Sequence, residues 1–248
     1  MPRHLAYFVS DVHLGLQVAG PEDREARFVR FLRGIPAEET EALYLLGDIW
    51  DFWYEYRDVV PKGYVRVLGA LQDLVDAGVK VFFFQGNHDI WTFRYFEEMG
   101  MHPLTQPFVM EFGGHRFCLG HGDGLGPGNR GYKAMRRCFH NRFIQRCFST
   151  LHPWIAFRLG NGWSRRSRLG KRIGYTFRGA EEPLVQFCES FAEERSREHL
   201  PAVDTFIFGH YHCRVDMPVA GGRLLVLQDW ITVSNWIEAD SEGNLSYL

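Results

Sequence analysis

The stretch from Leu43 to Asp51, LYLLGDIWD, decides the fold of this chain. A continuous apolar run that stops at Gly47 and Asp48 is typical of a β-strand buried on both faces. Its carboxylate falls at the carboxyl end of the strand, which is the edge where open α/β sheets build their sites. We therefore expect a functional site around Asp48, with ligands supplied by other strand ends.

Four further apolar runs end in polar side chains of a few types. The residues at these ends are Asp11 and His13, Asn87 and His88, His121, and His210 and His212. Asp, Asn and His are ligands of divalent cations of borderline hardness, and a carboxylate such as that of Asp48 can bridge two of them. Alone, the motifs at Asp11 and Asn87 are more often turns than sites, and the HxH pair at His210 is as often one as the other. Because five runs end in this way, we predict a two-metal site at one sheet edge.

The rest of the pattern predicts a mixed α/β chain. Predicted strands cover residues 5–9, 43–46, 79–84 and 205–208, a hairpin joins 108–112 to 116–120, and a final antiparallel pair joins 224–228 to 232–238. Predicted helices cover residues 22–32, 64–77, 91–99 and 181–198. Residues 132–171 have an amphipathic helical pattern, broken at Pro153 and near Gly160–Gly162.

The length allows one large α/β domain or two small ones, and we predict a single domain over residues 1–248. The net charge of −2 implies no particular partner. The segment from Arg130 to Arg178 is rich in Arg and Lys and contains no Asp or Glu. It predicts a local cationic surface. Nucleic acid is not the expected partner, because the segment is rich in aliphatic residues and its aromatic residues form no obvious stacking platform.

The sequence features related to location favour the cytoplasm. The five cysteines form no CxxC pair, which suits a reducing compartment and small buried thiols. The N-terminal apolar run is too short for a signal peptide, and no run approaches the roughly 20 residues of a membrane-spanning helix. Peripheral contact with the cytoplasmic face of the inner membrane stays open.

The combined motifs resemble the calcineurin-like metallophosphoesterase superfamily. They are DxH at Asp11, GDxxD at Gly47, GNHD at Gly86, HGD at His121 and GHxH at Gly209. The resemblance implies a two-sheet β-sandwich flanked by helices. It assigns one metal to Asp11, His13, Asp48 and His212, and the second to Asp48, Asn87, His121 and His210.

The same resemblance gives His88 and Asp89 catalytic roles. His88 would stabilise the transition state or protonate the leaving group, and Asp89 would orient its ring by a hydrogen bond. Asp89 could also be the N-cap of a helix that begins near Trp91.

The basic segment resembles the helical lid insertion of the UDP-2,3-diacylglucosamine pyrophosphohydrolases of lipid A biosynthesis, over about residues 127–175. This implies hydrolysis of the diphosphate to 2,3-diacylglucosamine 1-phosphate and UMP with two divalent ions, expected to be Mn²⁺. The expected substrate contacts are Asn129, Tyr132, Ser164, Arg165, Ser167 and Lys171. The best-known members carry Arg where this chain carries His88, so a general metallophosphoesterase acting on nucleotides or on another lipid-linked phosphate is the alternative. A non-enzymatic scaffold is disfavoured, because every ligand position is filled.

Overall fold

The computed structural model describes residues 3–18, 20–128, 130–171 and 176–248, and the strands in these ranges form two sheets. The first sheet contains, in spatial order, β11 (Leu245–Tyr247), β10 (Ile237–Ala239), β1 (Leu5–Val9), β2 (Thr40–Leu45), β3 (Lys80–Phe84) and β4 (His102–Leu104). The second contains β5 (Phe108–Phe112), β6 (His115–Leu119), β7 (Thr205–Phe208), β9 (Gly222–Val226) and β8 (Val215–Val219).

Helices flank both sheets. They are α1 (Pro21–Gly34), α2 (Val65–Asp76), α3 (Tyr95–Glu98), α4 (Arg130–Phe139), α5 (Arg142–Ser149), α6 (Pro153–Lys171) and α7 (Pro183–Arg197). We call residues 127–175 the lid; its described helices are α4, α5 and α6.

The alternation of side chains from Ala42 to Leu46, along β2 and just past its end, shows why this run is apolar. Tyr44 and Leu46 pack between the two sheets, in one cluster with Phe117 of β6. Leu43 and Leu45 point the other way and pack in the cluster that also contains buried residues of α1 and α2. Because both faces of the strand are covered, its residues bury apolar surface on either side.

Strand direction determines where the site lies. β1, β2 and β3 are parallel neighbours in the first sheet, and β6, β7 and β9 are parallel neighbours in the second. Parallel strands present their carboxyl ends at a common edge. The segments that follow β1, β2, β3, β6 and β7 therefore begin at the edges from which the functional residues project.

The predicted fold class is confirmed, with two sheets flanked by helices, but several predicted elements are wrong. Residues 224–228 and 232–238 do not pair: β9 pairs with β8, whereas β10 joins β1 in the other sheet. The predicted helix over 91–99 is reduced to α3, and α6 continues through Gly160 and Gly162 without a break.

Two further observations concern the cysteines and the helices. Cys118 and Cys188 are buried, but Cys138 and Cys147 are exposed on the lid, so the expectation that most cysteines are buried is wrong. Within the described ranges, none of the helices has both the length and the apolar character needed to cross a bilayer.

Candidate metal centre and its surroundings

Two glycines let the ends of β2 and β3 approach each other closely. Gly47 has a φ of 91°, and a Cβ atom there would lie 2.8 Å from the backbone nitrogen of Gly86 and 2.9 Å from Cγ of His121. A Cβ on Gly86 would in turn lie 2.2 Å from Oδ1 of Asp48. Only glycine fits at either position without displacing these neighbours, so the two motifs meet backbone against backbone.

The backbone of most predicted ligands is left-handed. Positive φ angles of 53°, 51°, 52°, 72° and 55° occur at Asp11, His13, Asp48, His210 and His212. In a regular strand, residues two apart face the same side of the sheet but lie far apart along it. The left-handed turns instead curl each i,i+2 pair back on itself, which directs both of its side chains into the same cluster.

The first part of the cluster contains Asp11, His13 and His212. Oδ1 of Asp11 lies 3.5 Å from Nε2 of His13 and 3.8 Å from Nε2 of His212. The two imidazole rings stack with centroids 5.0 Å apart. The other ring nitrogen of His212, Nδ1, lies 3.1 Å from Oδ2 of Asp229. These three ligand groups meet closely enough to hold one cation.

The second part contains Asp48, Asn87, His121 and His210. Nε2 of His121 lies 3.4 Å from Oδ2 of Asp48 and 3.3 Å from Oδ1 of Asn87. The ring of His210 lies edge-on to that of His121, with centroids 5.2 Å apart, and its backbone N–H donates to Asp11. Because Oδ2 of Asp48 also lies 3.8 Å from His13, it lies between the two parts.

These residues fit divalent cations by two tests. Oδ1 of Asp11 and Oδ2 of Asp48 are buried carboxylate oxygens that accept no hydrogen bond from the described residues. Such oxygens are costly to bury unless a cation compensates them. In addition, Nδ1 of His121 lies 2.9 Å from the carbonyl oxygen of Leu46. A carbonyl can only accept, so Nδ1 donates its proton and Nε2 is left as the ligand atom.

Electrostatics at the cluster also favour positive charge. Burial alone would raise the pKa of Asp48, but the surrounding imidazoles, His121 foremost, hold it well below its usual range. Burial alone would lower the pKa of His121, yet Asp48 and Asp11 raise it to about 10. Burial alone would raise the pKa of Asp11 as well, but His13 and His212 hold it below its usual range, so Asp11 and Asp48 are both ionised inside the protein. A metal ion would compete with protons for the imidazole nitrogens.

Asp51, not Asp89, contacts the ring of His88. Nδ1 of His88 lies 3.0 Å from the backbone oxygen of Asp51 and 3.7 Å from its Oδ1. The predicted hydrogen bond from Asp89 to His88 is therefore wrong. The alternative role of Asp89 as a helix cap is also wrong, because α3 begins only at Tyr95.

Asp89 instead holds the loop that carries Asp48. Its two carboxylate oxygens accept the backbone N–H groups of four residues, which are Gly86, Asp48, Ile49 and Trp50. Burial and the charge of Asp48 raise the pKa of Asp89 to about 7, although the backbone N–H groups act in the opposite direction. Asp89 is thus a positioning residue for the turn after β2.

The structure describes the side chains of two of the six predicted substrate contacts. The hydroxyl of Tyr132 donates to Oδ2 of Asp123 at 2.8 Å, and the buried hydroxyl of Ser164 donates to Oδ2 of Asp51 at 2.6 Å. Asn129 lies outside the described residues, as do the side chains of Arg165, Ser167 and Lys171.

Three acidic residues around the cluster were given no role by the sequence analysis. Asp51 and Asp123 lie within the GDxxD and HGD motifs, so their motifs could have indicated them. Asp229 follows β9 in a loop with no recognised motif. Its contact with His212 depends on the pairing of β9 with β7, which no sequence pattern indicated.

Comparisons with known proteins agree with this geometry. Residues 5–214 match the calcineurin-like phosphoesterase family. The chain is 38% identical over 246 residues to UDP-2,3-diacylglucosamine hydrolase of Porphyromonas gingivalis, covering 94% of this chain and 93% of that protein. It is 30% identical over 226 residues to the hydrolase of the same name from Neisseria meningitidis serogroup B, covering 91% of this chain and 89% of the relative.

A solved archaeal phosphodiesterase aligns over 98% of both chains with a TM-score of 0.47 and 11% identity. The family assignment depends instead on the sequence matches, and the family match over residues 5–214 includes all five motifs. This chain belongs to the calcineurin-like phosphoesterase family.

Proposed function

We propose that this protein hydrolyses the diphosphate of UDP-2,3-diacylglucosamine to 2,3-diacylglucosamine 1-phosphate and UMP, a step of lipid A biosynthesis. The observation that carries the proposal is a buried cluster of carboxylates and imidazoles next to a lid that is basic and partly apolar at its surface. Relatives named for this reaction align with nearly the whole chain, lid included.

Two divalent ions, which we propose to be Mn²⁺, would be held by residues of both parts of the cluster. Asp11, His13, Asp48 and His212 would bind the first, and Asp48, Asn87, His121 and His210 the second. Mixed oxygen and imidazole ligation suits this class of ion. When bound, such a pair lowers the pKa of a water molecule and neutralises phosphate charge during in-line attack.

His88 is the proposed catalytic side chain of the protein itself. Its ring lies edge-on to that of His13, with centroids 5.0 Å apart, and so borders the metal cluster. Because Nδ1 faces the backbone oxygen of Asp51, Nε2 is the nitrogen that would contact the phosphate or the leaving oxygen.

The lid offers an apolar surface for the acyl chains. Phe143, Trp154, Ile155 and Leu159 are 73%, 63%, 41% and 55% exposed, whereas Ala156 is buried. Other lid aromatics pack inward: Phe148 lies against Trp91, with centroids 4.5 Å apart. The inward residues explain how the lid is seated, and the exposed ones are the proposed acyl contacts.

The cationic side chains of the lid would face phosphate groups of the substrate or of the membrane. Arg165, Ser167, Lys171 and Asn129 remain proposed substrate contacts, together with the ring of Tyr132, whose centroid lies 6.4 Å from that of His210. We also propose that the same basic, apolar surface rests on the cytoplasmic face of the inner membrane.

The test is UMP release by the purified, Mn²⁺-loaded protein from UDP-2,3-diacylglucosamine. We expect rapid release from this substrate and little from UDP-N-acetylglucosamine, which lacks both acyl chains. An Asp48→Ala variant controls for contaminating hydrolases. Equal rates on the two sugar nucleotides would favour the second candidate, a general metallophosphoesterase, which is suggested by the presence of His rather than Arg at position 88. Absence of UMP release would overturn the proposal.

A further inference from the structure

Ser164 connects the lid to the catalytic centre. It lies on α6, is only 2% exposed, and donates its hydroxyl to Oδ2 of Asp51 at 2.6 Å. The two residues are 113 positions apart in the chain. A short hydrogen bond between a buried hydroxyl and a buried carboxylate is of the charge-assisted, stronger kind. This hydrogen bond restrains the orientation of the Asp51 carboxylate while α6 is in place.

The packing of α6 holds Ser164 at this position. A Cβ atom on Gly160 would lie 2.3 Å from Cε2 of Phe52, so the backbone of the helix lies directly on that ring. Phe157 meets the same ring edge-on at 5.5 Å, and Ala156 is buried. These contacts are one helical turn or two from Ser164 and fix the helix against the loop after β2.

The other atoms of Asp51 contact the reaction centre. Its Oδ1 lies 3.5 Å from Nδ1 of His13 and 3.7 Å from Nδ1 of His88. Its backbone oxygen lies 3.0 Å from the same nitrogen of His88. One aspartate thus contacts a lid serine through one oxygen and two site histidines through the other.

A second polar contact keeps the lid seated independently of Ser164. Asp123, 1% exposed, accepts hydrogen bonds at Oδ2 from Tyr132 at 2.8 Å and from Nε of Arg136 at 2.7 Å. Both donors lie on α4. Removal of the Ser164 hydroxyl would therefore leave α4 attached to the core, and the packing of Gly160 on Phe52 would still hold α6.

We propose that Ser164 is a positioning residue: with the lid seated, its hydroxyl fixes the carboxylate of Asp51, and Asp51 in turn fixes His88 and His13 at the reaction centre. The lid then contributes to the chemical step as well as to substrate binding. The inference rests on the proposed phosphoester hydrolysis but not on the identity of the lipid substrate. It replaces the expectation that Ser164 contacts the substrate.

The experiment measures kcat and KM of Ser164→Ala on two substrates, UDP-2,3-diacylglucosamine and bis(p-nitrophenyl) phosphate, which has no acyl chain. We expect kcat to fall about tenfold on both, the equivalent of one charge-assisted hydrogen bond, with KM changed less than twofold. In an Asp51→Asn background, Ser164→Ala should lower kcat by less than twofold further. Ser190→Ala is the control, since that exposed hydroxyl donates within its own helix to the carbonyl of Phe187.

Hydrogen exchange of α6 supplies a readout that does not depend on activity. We expect exchange in Ser164→Ala to match the parent protein, because the contacts of Gly160 and Asp123 are intact. An effect confined to KM, or to the acylated substrate, would make Ser164 a substrate contact and overturn the proposal. Loss of kcat accompanied by faster exchange throughout α6 would overturn it as well, since the lid would then have been released. If the parent protein does not cleave the sugar nucleotide, the proposed substrate fails, and the small diester still tests Ser164.

Discussion

The left-handed backbone at five of the proposed ligands has a conformational cost. A non-glycine residue in this conformation costs about 1–3 kcal/mol and persists only where the surroundings enforce it. Here the turns are held by backbone hydrogen bonds, such as Asp11 N–H to the oxygen of Gly47 at 3.1 Å and His13 N–H to that of Asp48 at 3.0 Å. The ends of β1 and β2 therefore hold each other in the conformation that brings their side chains together.

The role of His88 can be tested by its removal. We expect His88→Ala to lower kcat at least a hundredfold, because a positioned proton donor or acceptor typically contributes that much. Bound metal, measured by elemental analysis, should be unchanged, since His88 is not a proposed ligand. His102→Ala, an exposed histidine on β4, is the matched control and should be fully active. Loss of metal together with activity in His88→Ala would show that His88 acts as a ligand.

The sequence could predict which residues belong to the site but not how each is held. DxH, GNHD and GHxH indicate, through residue type and position after apolar runs, side chains that the structure brings into one cluster. No feature of these motifs distinguishes Asp51 from Asp89 as the partner of His88. That choice depends on the close approach of Gly47 and Gly86, which directs Asp89 toward backbone N–H groups and leaves Asp51 beside the ring.

Among the elements, strands formed by continuous apolar runs were predictable and the three-residue strands were not. β1 and β7 have their predicted bounds, because a run of apolar residues between polar stops defines them. β4, β10 and β11 have only three residues each, too few to show a period. The wrong pairing of residues 232–238 followed from proximity in sequence; the segment from Ile237 instead pairs with β1 of the other sheet.

The seating of α6 can be tested with two glycines of that helix. A methyl group at Gly160 would collide with Phe52, whereas Gly162 has no heavy atom within 4 Å of the same position. We expect Gly160→Ala to displace the lid, raise hydrogen exchange across α6 and lower kcat/KM for the acylated substrate at least tenfold. Gly162→Ala should leave activity unchanged and stabilise the helix by about 0.5–1 kcal/mol. Equal behaviour of the two variants would contradict the described packing of α6.

If the exposed apolar residues of the lid contact the acyl chains, their removal should weaken binding of the acylated substrate only. Replacing exposed Trp154 and Leu159 together by Ser removes apolar contact area, so we expect KM for UDP-2,3-diacylglucosamine to rise about tenfold or more. Turnover of bis(p-nitrophenyl) phosphate should not change. Leu200→Ser, at an exposed leucine outside the lid, serves as the control. An unchanged KM in the double variant would remove these residues from the acyl site.

At the scale of the whole molecule, the two sheets contribute different ligands. Asp11, His13, Asp48 and Asn87 follow strands of the first sheet, whereas His121, His210 and His212 follow strands of the second. The packing of the sheets therefore sets the spacing between the ligand groups. Any cation bound by residues from both sheets would also hold the sheets together.

This arrangement predicts that metal stabilises the entire fold. Saturating Mn²⁺ at a hundred times its dissociation constant should add about 2.7 kcal/mol per occupied site to the free energy of unfolding, and so raise the melting temperature by several degrees. The increase should be largely absent in Asp48→Ala. A melting temperature that does not respond to Mn²⁺, with chelator-treated protein as the reference, would contradict tight binding between the sheets.

Seven side chains from five strand ends are proposed to hold two cations at one edge. Anomalous diffraction at the manganese absorption edge, from crystals grown with Mn²⁺, tests this most directly. We predict two peaks on either side of Asp48, one contacted by Asp11, His13 and His212, the other by Asn87, His121 and His210. A single peak away from Asp48, or no peak within this cluster at saturating Mn²⁺, would contradict the proposed two-cation site.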